Sequence, residues 1–163
     1  TCYYSGIGDR GFLYDGSNWT TFNAPGAEYT NAYGIDGDNI VGNYNDSSGL
    51  HGFFYNGSSW TTLDAPGAFS TSAFGVFGNN IVGYYMDYNS DCHGFIYNGS
   101  TWTILDAAGA FYGTYFWGID GSNVVGSYVD ASSHNHSFVY TIPEPASALL
   151  IGTGLLLARL RRR

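Results

Sequence analysis

The sequence predicts an all-β protein made of tandem four-stranded antiparallel repeats, and three observations carry that expectation. First, the chain repeats itself: Trp19, Trp60 and Trp102 fall 41 and then 42 residues apart inside matching segments. Second, aromatic and β-branched residues alternate with polar ones in short runs, the period of half-buried strands. Third, those runs are punctuated by Asp-Gly and Asn-Gly pairs, which tolerate the positive φ that hairpin turns demand. No segment before residue 144 has helical periodicity, so helix is expected to be nearly absent there.

Each repeat offers the same elements in the same order. The first runs Gly11-Phe12-Leu13-Tyr14, turns at Asp15-Gly16, and returns as Trp19-Thr20-Thr21-Phe22. Its counterparts are Gly52 to Leu63, turning at Asn56-Gly57, and a segment from Gly94 that turns at Asn98-Gly99. After Ala24-Pro25-Gly26-Ala27 and its equivalents comes a second hairpin, in which Ala32-Tyr33-Gly34-Ile35 turns through Asp36-Gly37-Asp38-Asn39 into Ile40-Val41-Gly42. Ile81-Val82-Gly83 and Val124-Val125-Gly126 repeat that last strand, and Ser137-Phe138-Val139-Tyr140 begins a fourth copy. Repeats drawn at 11–51, 52–93 and 94–136, with a partial strand at each end, thus make up a β domain over 1–142.

Four short strands per roughly 40 residues is the signature of a propeller blade, where each small sheet buries a face against its neighbours. Three repeats are fewer than the four to eight blades that propellers use, and three four-stranded repeats also describe a β-trefoil. Two consecutive hairpins per repeat, with aromatics on both faces, favour blade-like sheets in an open arc.

Charge is unevenly distributed. Residues 1–142 hold twelve carboxylates against Arg10 alone, a formal charge of −11, and the chain has no lysine. Nucleic acid is excluded as a partner class, because phosphate affinity comes from lysine and arginine. Cys2 and Cys92 form no motif, and an exported location would permit either a disulfide or free thiols.

Composition changes abruptly at Pro143-Glu144-Pro145. Ala146 to Ala158 is apolar and uncharged, and Arg159, Arg161, Arg162 and Arg163 close the chain. As a helix those thirteen residues span about 20 Å, short of the ~30 Å hydrocarbon core, so crossing requires a thinned bilayer with snorkelling arginines. The arginines would stay on the cytoplasmic side, and a C-terminal transmembrane helix at the inner membrane would hold the repeats across it. Proline-glutamate-proline, apolar helix and terminal basic cluster, in that order, resemble the PEP-CTERM sorting signal, also catalogued as an ice-binding-protein C-terminal domain. The resemblance covers residues 143–163. It implies processing near Pro143, Glu144 and Pro145 by an exosortase, with Arg159 to Arg163 as a cytoplasmic anchor. The location it implies is the cell envelope or exterior of an exopolysaccharide-producing bacterium. Thr1 is followed by no signal-peptide pattern, so export leads us to expect further N-terminal sequence.

The repeats themselves resemble HAF-type extracellular repeats over residues 11–140, through Ile40-Val41-Gly42 and His51-Gly52-Phe53. That resemblance implies an extracytoplasmic location without specifying an activity.

Candidate sites follow the repeat. His51, His93 and His136 recur once per repeat, with His134 beside the last and Arg10 at the equivalent earlier position. Recurrence at one position of successive sheets points to architecture, since metal ligands must converge within a few ångströms. Asp36, Asp38, Asp46, Asp87, Asp91, Asp120 and Asp130 fall in turns without a calcium-loop spacing, and Asx residues favour turns for their own hydrogen bonds. Neither a nucleophile with its base nor a carboxylate pair stands outside the repeat pattern, so no catalytic, cofactor-binding or metal residue is assigned and the protein is expected to be non-enzymatic. Trp19, Trp60 and Trp102 are expected to pack between sheets. Tyr84, Tyr85, Tyr88, Tyr112 and Tyr115 exceed what alternation needs and point to stacking on sugar rings, with exopolysaccharide as a partner. A further alternative is a fragment of a catalytic propeller, a glycan lyase or hydrolase with its active residues on other blades.

Overall fold

The computed structural model describes residues 10–143. Within them the protein is all-β. The strands are β1 (Gly11–Tyr14), β2 (Trp19–Phe22), β3 (Tyr29–Asp36), β4 (Asn39–Asp46), β5 (Gly49–Tyr55), β6 (Trp60–Leu63) and β7 (Ala68–Phe77). They continue as β8 (Asn80–Asp87), β9 (Cys92–Tyr97), β10 (Trp102–Leu105), β11 (Gly113–Asp120), β12 (Asn123–Val129) and β13 (Asn135–Thr141).

Consecutive strands pair antiparallel in four runs: β1-β2, β3-β4-β5-β6, β7-β8-β9-β10 and β11-β12-β13, here called sheets I to IV. Sheets III and IV share one hydrogen-bonded network through a single parallel bridge, Gly113 to Cys92. The sheets are shifted half a repeat from units drawn at 11–51 and 52–93. Each complete sheet takes the second hairpin of one repeat and the first hairpin of the next, because β4 pairs with β5 in register from Ile40–Tyr55 to Asp46–Gly49. A period alone does not say where a sheet starts.

The two hairpin types close differently. Gly37, Gly78 and Gly121 take positive φ in two-residue loops, Asp36 pairing with Asn39 and its equivalents doing the same. The Asp-Gly and Asn-Gly loops are longer, spanning four residues between Tyr14 and Trp19, Tyr55 and Trp60, and Tyr97 and Trp102. There Asp15 Oδ1 accepts from the amides of Ser17 and Asn18 at 2.8 and 2.7 Å, and Asn56 and Asn98 act alike. The Asx side chain therefore organises a wider loop instead of entering a two-residue turn.

Sheets stack face on face, and three apolar clusters fill the gaps. Phe22, Ile40, Tyr44 and Phe53 lie between sheets I and II, with Trp60 against them. Val41, Leu63, Val76, Ile81 and Phe95 lie between II and III, with Trp102. Val82, Ile96, Phe116 and Val124 lie between III and IV, with Leu105 and Phe138. Burying such aromatic and branched side chains contributes roughly 1.5–3 kcal/mol each. Trp19 departs from expectation: it is 72% exposed and stacks only on Tyr14, at 4.7 Å, because no described sheet precedes sheet I.

Among the described residues no helix is long and apolar enough to cross a membrane. The apolar segment expected to do so, with Glu144, Pro145 and the arginine cluster, lies outside the described residues.

Candidate functional site

Two features recur in every repeat and differ in kind. The first is built on the three expected histidines. His51 lies on the ring of Tyr44, with Nδ1 2.9 Å from Asp64, Nε2 2.8 Å from Ser48 Oγ, and Asp46 at 3.5 Å. His93 lies on Tyr85, 2.9 Å from Asp106 and 4.0 Å from Asp87. His136 stacks on Tyr128 and lies 2.8 Å from Asp130, which also has His134 at 3.7 Å. Asp46, Asp87 and Asp130 also accept backbone amides of their own turns, from Ser48, from Asn89 and Asp91, and from Ser132 and His134. The hydrogen bond from Ser48 holds the Asp46 carboxyl below its usual range, and the amide of Asp91 does the same for Asp87. His136 brings Asp130 down to about 2. These carboxylates are engaged locally, and among the described residues no group of three or more His, Cys, Asp or Glu side chains is arranged to hold a metal ion. Asp36 instead ties sheet II to sheet III, its Oδ2 accepting from the Gly78 amide at 2.7 Å.

The second feature is an aromatic column. A β-bulge interrupts β3 between Ala32 and Gly34, β7 between Ala73 and Gly75, and β11 between Phe116 and Gly118. A bulge leaves one residue out of the ladder and re-aims its side chain; here those residues are Tyr33, Phe74 and Trp117. The glycine that follows each bulge lets the strands approach to backbone contact. A Cβ on Gly34 would sit 2.7 Å from the Phe74 carbonyl oxygen, and one on Gly75 would sit 3.0 Å from Gly118 Cα. The close approach brings the rings together: Tyr33 stacks on Phe74 at 4.7 Å, and Trp117 meets Phe74 edge-on at 5.1 Å. Tyr84 and Tyr115 extend the column, 4.9 Å from each other, with Tyr115 stacked on Trp117 at 5.6 Å.

Polar groups border the rings. Trp117 Nε1 donates to Ser127 Oγ at 2.9 Å, Asn43 Nδ2 donates to Ser72 Oγ at 2.8 Å, and Asn31 Nδ2 donates to Asn43 Oδ1 at 3.1 Å. Burial raises the phenols of Tyr33 and Tyr84, and burial with the neighbouring Cys92 thiol pushes Tyr115 to about 12. These hydroxyls therefore remain neutral across the physiological range. Tyr33 and Trp117 are half exposed, so the column combines solvent-facing rings with oriented amides and hydroxyls.

Of the five tyrosines singled out in the sequence, only Tyr84 and Tyr115 reach this column. Tyr85 is buried under His93, Tyr88 is exposed beside Phe69, and Tyr112 pairs with Phe111. Sequence reasoning missed Tyr33, Phe74 and Trp117, whose signal is an aromatic immediately before the second-hairpin glycine in each repeat. A separate cleft of about 560 Å³ opens between the loops of sheets II and III, with Asn39, Asn56, Asn79 and Asn98 around Phe54 and Tyr97. Pairing of Cys2 with Cys92 lies outside the described residues.

Comparison with known proteins finds no matching family model, no matching curated protein and no matching solved structure.

Proposed function

We propose that the chain is an exported, non-enzymatic repeat protein of the cell envelope or extracellular matrix, sorted by an exosortase through its C-terminal PEP-CTERM-like segment. The observation that carries this is the break at Pro143, where a lysine-free acidic domain gives way to an apolar run closed by four arginines. Among the described residues the last strand, β13, stops at Thr141, and the Ile142 amide donates to the Ser122 carbonyl at 2.8 Å. The expected processing motif thus begins at the residue after this bond, Pro143.

The sheets are best read as propeller blades rather than trefoil hairpins. Support comes from four consecutive antiparallel strands per complete sheet, face-to-face stacking, and the approach of the first strands β3, β7 and β11 at their glycines. Expression in a host with and without its exosortase tests the sorting. The expected outcome is a membrane-anchored precursor that is shortened and released only when the enzyme is present, with Glu144→Ala blocking the conversion. An unshortened chain recovered from the cytosol would overturn it.

A second reading, binding of exopolysaccharide, is favoured by the aromatic column. Aromatic faces stack on the C–H faces of sugars, while neutral hydroxyls and amides bond their hydroxyl groups. Retention on a polysaccharide matrix, lost in Trp117→Ala, is the expected result; equal retention of the variant would exclude the column as the site.

A further inference from the structure

A feature that recurs in every repeat is explained by architecture; one confined to a single junction is not. The cleft of about 560 Å³ between sheets II and III is of the second kind, and its volume falls within the span of small-molecule sites. Both of its walls come from residues 39–100, all within the described part of the chain.

Three departures from the repeat meet there. Phe54 stands where the other repeats have Leu13 and Ile96, so this wall carries a half-buried aromatic ring. Asn79 stands where they have Asp38 and Ser122, and Asn56 and Asn98 stand where the first repeat has Asp15. The loops around this junction therefore carry carboxamides at positions where the preceding junction carries carboxylates. Finally, the sheet III loop stands away from its neighbouring turn. A Cβ on Gly57 would sit 3.2 Å from Asp38 Cβ, whereas one on the equivalent Gly99 would meet no atom within 4 Å.

The polar groups of the lining are preorganised. Asn56 and Asn98 accept from their own loop amides through Oδ1, which fixes each carboxamide plane and leaves Nδ2 as an oriented donor. Asn39 and Asn79 add two carboxamides that can both donate and accept. Phe54 and Tyr97 supply the apolar surface between them. The lining holds no carboxylate, histidine, lysine or arginine, so a cation finds no charged ligand in it. Asp36, bonded to the Gly78 amide, and Asp38, against Gly57, lie beside it and disfavour an anion.

We propose that this cleft binds a neutral saccharide of one or two pyranose units, with a C–H face on Phe54 and hydroxyls bonded by the carboxamides of Asn39, Asn56, Asn79 and Asn98. A pyranose combines the apolar ring face and the fringe of uncharged hydroxyls that the two parts of this lining complement. The site shares no residue with the aromatic column, and it depends on neither the sorting reading nor binding at the column.

Saturation-transfer NMR on the full chain, in a mild detergent without a sugar head group, tests it. The probes are glucose, cellobiose and lactose, with glucuronate as the charged control. Saturable transfer to at least one neutral sugar is expected, with none to glucuronate. Asn79→Ala is expected to raise the Kd about three- to tenfold, the loss of one hydrogen bond. Thr61→Trp places a ring in the cleft from an exposed position on β6 and is expected to abolish binding, while Trp117→Ala leaves it unchanged. Ser100→Trp fills the cleft from the opposite wall and replaces Thr61→Trp should that variant fail to fold, as judged by circular dichroism. The proposal is overturned if none of the three neutral sugars binds, if glucuronate binds as well as they do, or if the filling variants bind as wild type does. Loss of binding in Trp117→Ala alone would also overturn it, by moving the sugar to the column.

Discussion

The tyrosine–histidine–aspartate clusters and the bulge aromatics both recur once per repeat, yet they are opposite in character. At the first, residue identity is kept and polar atoms are paired: Tyr44, Tyr85 and Tyr128 each carry a histidine held by a carboxylate. At the second, only the aromatic class is kept, as Tyr33, Phe74 and Trp117, and the outer rings stay half exposed. A recurring group whose hydrogen bonds close on themselves fixes a turn to its strand. A recurring group that leaves ring faces in solvent has contact capacity to spare. Asp64 and Asp106 sharpen the distinction, because each comes from the segment after its sheet's last strand and locks it to a histidine on the neighbouring strand.

Four perturbations test that difference. The largest loss of stability is expected for Gly75→Ala, whose Cβ would press on the backbone of Gly118 and Ile119; about 1–3 kcal/mol should be lost in urea unfolding. It should also separate the stacked rings while leaving the His93 cluster intact. Next, His93→Ala should cost about 1 kcal/mol, since it removes a partly exposed hydrogen bond and a ring contact. A smaller change is expected for Trp117→Ala, within about 1 kcal/mol by thermal melting, because its ring is half exposed. If the column binds sugar, that variant loses retention with its fold intact, whereas His93→Ala retains binding.

The smallest effect is acid sensitivity. Asp130 is held down at about 2, below its ordinary 3.8, so its contribution is present above the ordinary value. That contribution is lost as pH falls from about 4 through about 2, and Asp46 and Asp87 act in the same sense. Stability measured across this window should fall less steeply in His136→Ala, where the main cause of the Asp130 shift is gone.

Much of this was legible in the sequence. Alternation marked nearly every strand, and the glycines of the short loops marked the second hairpins. The histidines were expected to be architectural because they recurred, and their aspartate partners were visible only as turn residues. Asp64 and Asp106 were not singled out, since a carboxylate thirteen residues from its histidine gives no local signal. The tyrosine surplus did not single out Tyr33, Phe74 and Trp117, because a bulge changes which face a side chain takes and its effect on register is not visible in alternation.

The sequence by itself determined the strand runs, the loops between them, the repeat and the sharp change of composition at Pro143, because these depend on neighbours within a few residues. Only the tertiary structure decided that sheets start half a repeat later and that Gly34, Gly75 and Gly118 draw three bulges into one column. Those outcomes depend on contacts between strands about 40 residues apart, and periodicity repeats an element without saying what it packs against.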